Sequence, residues 1–196
     1  MAAWTTAILD EMARHREQFK AFCRSLSPEE MSERVPGSPW TVQDYIAHLC
    51  TIDGLLCRFF GPAVAIMDMP PLDVAPPTPF DIDEWNEAAV EKRCGASLEE
   101  LFDEAARHRA NYIRILEALP EGQMGMMIPF GGDRKVIDLP ATTVRLEDLL
   151  WSIALHDPNH TRDILRALPN REPELREWIA SADFERVPAA ITDRRV

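Results

Sequence analysis

Apolar residues recur at helical spacing along most of this chain. Ile8, Met12, Phe19 and Phe22 form one stripe over residues from about 3 to 25 and predict a first long helix. Ser27-Pro28-Glu29-Glu30 then offers an N-cap, a proline at the first helical position and a capping-box Glu for a short second one. Val35-Pro-Gly-Ser-Pro39 breaks the chain. Thr41 with Asp44 caps the next helix, which carries Tyr45, His48, Ile52, Leu55 and Phe59 on one stripe, so His48 falls within an apolar face. Between Met69 and Phe80 stand five prolines, too many for a helix or a central strand, which predicts an extended surface connection serving as a lid or a simple crossover. Asp81-Ile-Asp-Glu84 and Ser97-Leu-Glu-Glu100 are further caps, the second opening a helix through Leu101, Ala105, Tyr112 and Leu116. Helical periodicity disappears from Met126 to Thr143, and the turn signal Pro129-Phe-Gly-Gly-Asp133 predicts a small hairpin or ordered loop. A last long helix is expected from about Leu146 to Leu168, followed by a short piece around 173–180. Together these elements predict an all-α fold, most simply a four-helix bundle with crossover connections, as one domain over 1–196.

Pro158 interrupts that last helix, since it has no N–H for the carbonyl of Ala154 and crowds the preceding turn. Either a new helix starts here, with Asp157 as N-cap and His156 outside it, or one helix continues with a kink. The stripe Leu146, Leu149, Leu150, Ile153, His156, His160, Ile164 and Leu168 keeps its phase through the proline and favours the kink. His156 and His160, four residues apart, would then share one face. Imidazole is the commonest protein ligand for borderline transition metals, so a metal site on a helical scaffold is the leading chemical reading.

Composition narrows the partners. Hydrophobic residues make up 46% of the chain and charged residues 28%, an ordinary balance for a globular protein rather than a disordered one. A formal net charge of −12 opposes a phosphate backbone, so nucleic acid is not an expected partner. No stretch has the length needed to span a bilayer, and the start Met-Ala-Ala-Trp-Thr-Thr lacks the basic and apolar regions of a signal peptide. A cytoplasmic location is the expectation. Cys23, Cys50, Cys57 and Cys94 have no C-x-x-C spacing and sit in apolar helical patterns, which predicts reduced, mostly buried thiols.

The order Trp40-Thr-Val, His48 early in the second long helix, then His156-Asp-Pro-Asn-His160 followed by Ile164 resembles the DinB-like superfamily of four-helix bundles. That superfamily includes the amino-terminal domain of mycothiol-dependent maleylpyruvate isomerase and related thiol S-transferases. The similarity runs through most of the chain, including Asp83-Glu-Trp-Asn86 and the irregular segment before the last long helix. It implies an up-down-down-up bundle, frequent homodimers, and a site for one divalent metal, often zinc or nickel, with His48, His156 and His160 as ligands. Pro158 departs from the aliphatic or aromatic residue more usual at that position.

Three neutral imidazoles leave a coordination position for water or substrate, the arrangement of catalytic rather than structural zinc. Around them, Asp157 and Asn159 either orient the ligands through hydrogen bonds or are solvated helix residues. His108 is a fourth ligand or general base if it is not an edge-of-core residue. His15, between Arg14 and Arg16, reads as surface, and Asp53 as part of a solvated face. Cys50, Cys57, Trp40 and Trp151 read as packing residues. Three functions stay open: a metal-dependent transferase adding a low-molecular-weight thiol to a small electrophile, a metal-dependent hydrolase of a small amide or ester, and a non-catalytic binding or stress-response module. The lack of a carboxylate-rich cluster argues against a ferritin-like di-iron role.

Overall fold

The computed structural model describes residues 3–66, 68–78, 80–130 and 142–188. The long helices are α1 (Ala3–Arg24), α3 (Val42–Phe60), α5 (Leu98–Ala118) and the consecutive pair α6 (Leu146–Ala154) and α7 (His156–Leu165). Shorter ones are α2 (Pro28–Ser32), α4 (Ile82–Glu91) and α8 (Glu172–Ala180). The expected caps are in place. Ser27, Thr41 and Ser97 each form a reciprocal capping box with the residue three positions on, and Asp81 accepts from the Asp83 and Glu84 amides. Strands β1 (Met127–Phe130) and β2 (Thr142–Arg145) pair antiparallel, with Met127 opposite Arg145 and Phe130 opposite Thr142. Gly131, Gly132 and Asp133 of the expected turn lie outside the described residues.

α1 packs against α5, α6 and α7, while α3 packs against α4, α5 and α7. The apolar interior separates into two main clusters. One gathers Phe19, Phe22, Ile46, Leu49, Leu101, Phe102, Ile164 and Leu168. The other gathers Ile8, Met12, Cys57, Tyr112, Leu116, Leu146, Leu150 and Ile153. Each long helical segment contributes to both, and on three of them the stretch between the two contributions holds buried polar side chains: His15 on α1, Thr51 and Asp53 on α3, Asp157, His160 and Thr161 on α7, while Thr5, His48 and Asp148 are buried within the apolar stretches. A polar band therefore crosses the middle of the interior.

Residues 68–78 and Phe80 pack as a crossover. Leu72 and Val74 rest against Leu55, Trp85 and Ala89, the Trp85 indole N–H donates to the Val74 carbonyl at 3.1 Å, and Arg93 Nη2 donates to both Asp73 oxygens at 3.1 Å. Phe59 does not join the buried stripe assigned to its helix. It is 48% exposed and meets Phe80 edge to face, with ring centroids 5.0 Å apart.

The region of Pro158 matches neither sequence-level alternative. α6 ends at Ala154, Leu155 takes φ −93° and ψ 5°, and His156 opens α7, so the break falls three residues before the proline and His156 is inside the second helix. Proline is tolerated in a first helical turn, where its missing N–H has no intrahelical partner to satisfy. The stripe nonetheless keeps its phase, with Leu146, Leu150, Ile153, His160, Ile164 and Leu168 all buried.

Candidate metal centre

Local structure carries each histidine inward. His48 sits on the second turn of α3, whose start is fixed by the Thr41–Asp44 box, and is 3% exposed. His156 and His160 stand one turn apart on α7, His160 being 5% exposed. The three side chains converge: one ligating atom from each lies within 4.8 Å of the others. The Nε2 atoms of His156 and His160 are 3.1 Å apart, and the His48 ring centroid lies 5.1 Å from both of theirs. Nitrogens around a tetrahedral zinc, each about 2.0–2.1 Å from the ion, would stand roughly 3.3–3.4 Å from one another. The observed spacing suits two lone pairs converging on one cation, and equally an N–H···N hydrogen bond between neutral rings.

The surroundings fit a cation. Burial holds the His48 and His156 imidazoles well below their ordinary pKa, with the neighbouring His160 ring adding to the effect, so both are neutral and keep a lone pair for a metal. Nδ1 of His48 and Nδ1 of His156 are buried without a hydrogen-bond partner among the described residues. His160 Nδ1 lies 3.1 Å from Asp163 Oδ2, which fixes its ring and turns Nε2 towards the other two. Two aromatic rings wall the site: Trp40 lies 5.1 Å from the His48 ring and Tyr45 5.6 Å from the His160 ring.

The sequence profile of the DinB superfamily matches residues 11–164. The chain belongs to the DinB superfamily. No curated protein and no solved structure matches it.

In this superfamily member the remaining polar residues are distributed in ways the sequence did not show. Asp157 is 4% exposed and turns towards α1, where Arg16 Nη2 meets its Oδ1 at 2.9 Å. Asn159 is half-buried and donates its backbone N–H to the Leu155 carbonyl at 3.0 Å. His108 is not brought to the three histidines. Its Nε2 lies 3.2 Å from Glu104 Oε1, and its ring fills the space over Gly54, where an added Cβ would stand 2.9 Å from it. Asp53 is not on a solvated face, because it is 2% exposed and ion-paired with Arg109. Nor is His15 on the surface: it is fully buried and its Nδ1 accepts from the Trp178 indole at 2.8 Å. In both cases a neighbouring helix supplies a partner that the local pattern does not contain.

Cys23, Cys50 and Cys57 are buried free thiols, and Cys94 is exposed. Burial pushes Cys50 and Cys57 up to about 12 and raises Cys23 as well. Two polar residues beside the site, Asp163 next to His160 and Arg16 next to Asp157, were not predicted from the sequence to lie there. Asp163 follows His160 by one helical turn, a spacing that places two side chains together. Arg16 falls between Met12 and Phe19 on the apolar stripe of α1, where a cation needs an internal partner.

Proposed function

We propose that this protein binds one divalent metal, zinc or nickel, through His48, His156 and His160, and that it is a metal-dependent transferase adding a low-molecular-weight thiol such as mycothiol to a small electrophilic substrate. The observation that carries the reading is the convergence of three imidazoles, with one ligating atom from each within 4.8 Å of the others, inside a helical scaffold. A bound divalent cation with an open position supplies a Lewis acid that lowers the pKa of a thiol or a water. The chain's own residues supply the rest. Burial keeps the His48 and His156 rings unprotonated, Asp163 takes the outer N–H of His160, and Trp40 and Tyr45 keep water from two sides of the cluster. Burial leaves Cys23, Cys50 and Cys57 as protonated, poor nucleophiles at neutral pH, which favours a thiol supplied from outside.

The same reading takes the chain as one domain, cytoplasmic, folded as an up-down-down-up bundle and assembled as a symmetric homodimer. Support for the bundle order lies in the core: α1 and the α6–α7 pair run from the second apolar cluster to the first, whereas α3 and α5 run from the first to the second.

Metal analysis of the purified protein tests the site, with close to one equivalent of zinc or nickel expected and His160→Ala abolishing tight binding while helical content is retained. Turnover of an electrophilic acceptor should require both metal and thiol and should fail in His48→Ala. Cleavage of esters or amides without thiol would instead make it a hydrolase, and neither activity would leave a metal-binding module.

A further inference from the structure

α7 begins just after a gap in the backbone ladder. Pro158 has no N–H to give to the Ala154 carbonyl, and Leu155 departs from helical dihedrals with φ −93° and ψ 5°. The direction of the first turn of α7, and with it the aim of His156, is therefore incompletely inherited from α6 and has to be held by side chains. A charged side chain from α1 reaches that turn. Arg16 of α1 places Nη2 2.9 Å from Asp157 Oδ1 and 3.0 Å from the Leu49 carbonyl oxygen. Asp157 follows His156 in the chain, and Leu49 follows His48. A single nitrogen thus ties the turn carrying one histidine to the turn carrying another.

We propose that Arg16 is a positioning residue for the metal centre, setting the separation of His48 and His156 by clamping Asp157 and the Leu49 carbonyl together. This rests on the reading of the three histidines as metal ligands. It makes Asp157 act on the site through Arg16 rather than by accepting from an imidazole. The clamp is anchored from behind. Asp53 of α3 pairs with Arg109 of α5, and both lie within electrostatic reach of Asp157, so each of the four long helical segments contributes one charge to a quartet of two buried carboxylates and two partly buried guanidinium groups. Nη2 makes both contacts from the end of a side chain one bond longer than lysine's, with its two N–H groups fixed in the guanidinium plane, so a shorter, freely rotating lysine ammonium reproduces the pair poorly. His160 is oriented by Asp163 on its own helix, so its ring does not depend on the clamp.

The test compares wild type with Arg16→Lys and with Arg16→Met/Asp157→Asn, which removes both charges so that neither is left buried alone. Each full-length protein is titrated with zinc against a competing chelator and with cobalt(II), whose ligand-field spectrum reports coordination geometry, alongside circular dichroism. The double variant should keep wild-type helicity, bind zinc roughly 10- to 100-fold more weakly and give a displaced cobalt spectrum. Arg16→Lys should bind more weakly than wild type with a smaller spectral change. A folded double variant with wild-type affinity and spectrum overturns the proposal; if it does not fold, wild-type behaviour of Arg16→Lys does so. Should wild type itself take up no metal, the histidine reading fails first and the positioning role falls with it.

Discussion

His15 shows how one side chain can be recast by a distant partner. Its Nδ1 accepts from Trp178 on α8 and its Nε2 faces Glu11 at 3.2 Å, so the native tautomer is neutral. Burial, helped by Arg14 and opposed by Glu11, lowers its pKa from 6.5 to about 4. The sign follows from linkage: the unfolded chain binds this proton more readily, so the contribution to stability is complete above pH 6.5 and disappears as the pH falls towards 4. Between those limits the loss is about 1.4 kcal/mol per pH unit from this group. His15→Gln should cost about 1–3 kcal/mol at pH 7.5, and urea unfolding should show that difference shrinking at pH 5. A difference that stays constant with pH would refute the assignment.

At the level of elements, caps and breaks decide where the histidines point. Thr41 Oγ1 accepts from the Asp44 amide at 3.2 Å, while Asp44 Oδ2 accepts from the Thr41 amide at 2.8 Å, and the helix they open carries His48 within its second turn. Thr41→Ala should lower stability by about 0.5–2 kcal/mol in thermal or chemical denaturation, with Thr41→Ser recovering most of it. Equal losses in both variants would assign the effect to packing of the Thr41 methyl rather than to the cap. The break at Leu155 works differently. It lets α6 and α7 keep one buried stripe in phase while freeing the first turn of α7 to be set by Arg16.

Across the whole molecule, the polar side chains buried between the two apolar clusters need partners. Buried charges and unpaired imidazole nitrogens oppose folding unless partners satisfy them. A cation that binds the three histidines of the folded protein favours the folded state, so metal binding and folding should be coupled. Zinc at 100 times its Kd should stabilise the protein by about 2.7 kcal/mol, seen as a raised Tm. His160→Ala should abolish that rise, and His108→Ala should leave it, because His108 is engaged with Glu104. The proposed homodimer should bury more than about 1,000 Å² in total. Light scattering should find twice the chain mass at micromolar concentration, and a monomer there removes the dimer from the proposal.

Most helix starts could be read from the chain, because a cap is a contact between residues three apart and Ser27, Thr41, Asp81 and Ser97 carry their partners with them. The helix stripes were legible for the same reason: burial of one face leaves a 3.6-residue period in the sequence. The placement of His156 and His160 one turn apart also follows from local geometry, and His48 joined them through a resemblance in the order and spacing of motifs. What local spacing could not supply is every contact whose two ends come from different helices. The burial of His15 by Trp178, the pairing of Asp53 with Arg109 and the clamp from Arg16 to Asp157 join residues 163, 56 and 141 positions apart. A polar residue on a helix looks the same in sequence whether water or a neighbouring helix satisfies it. Only packing decides which, since a charge enters the interior when another helix brings its counter-charge to meet it.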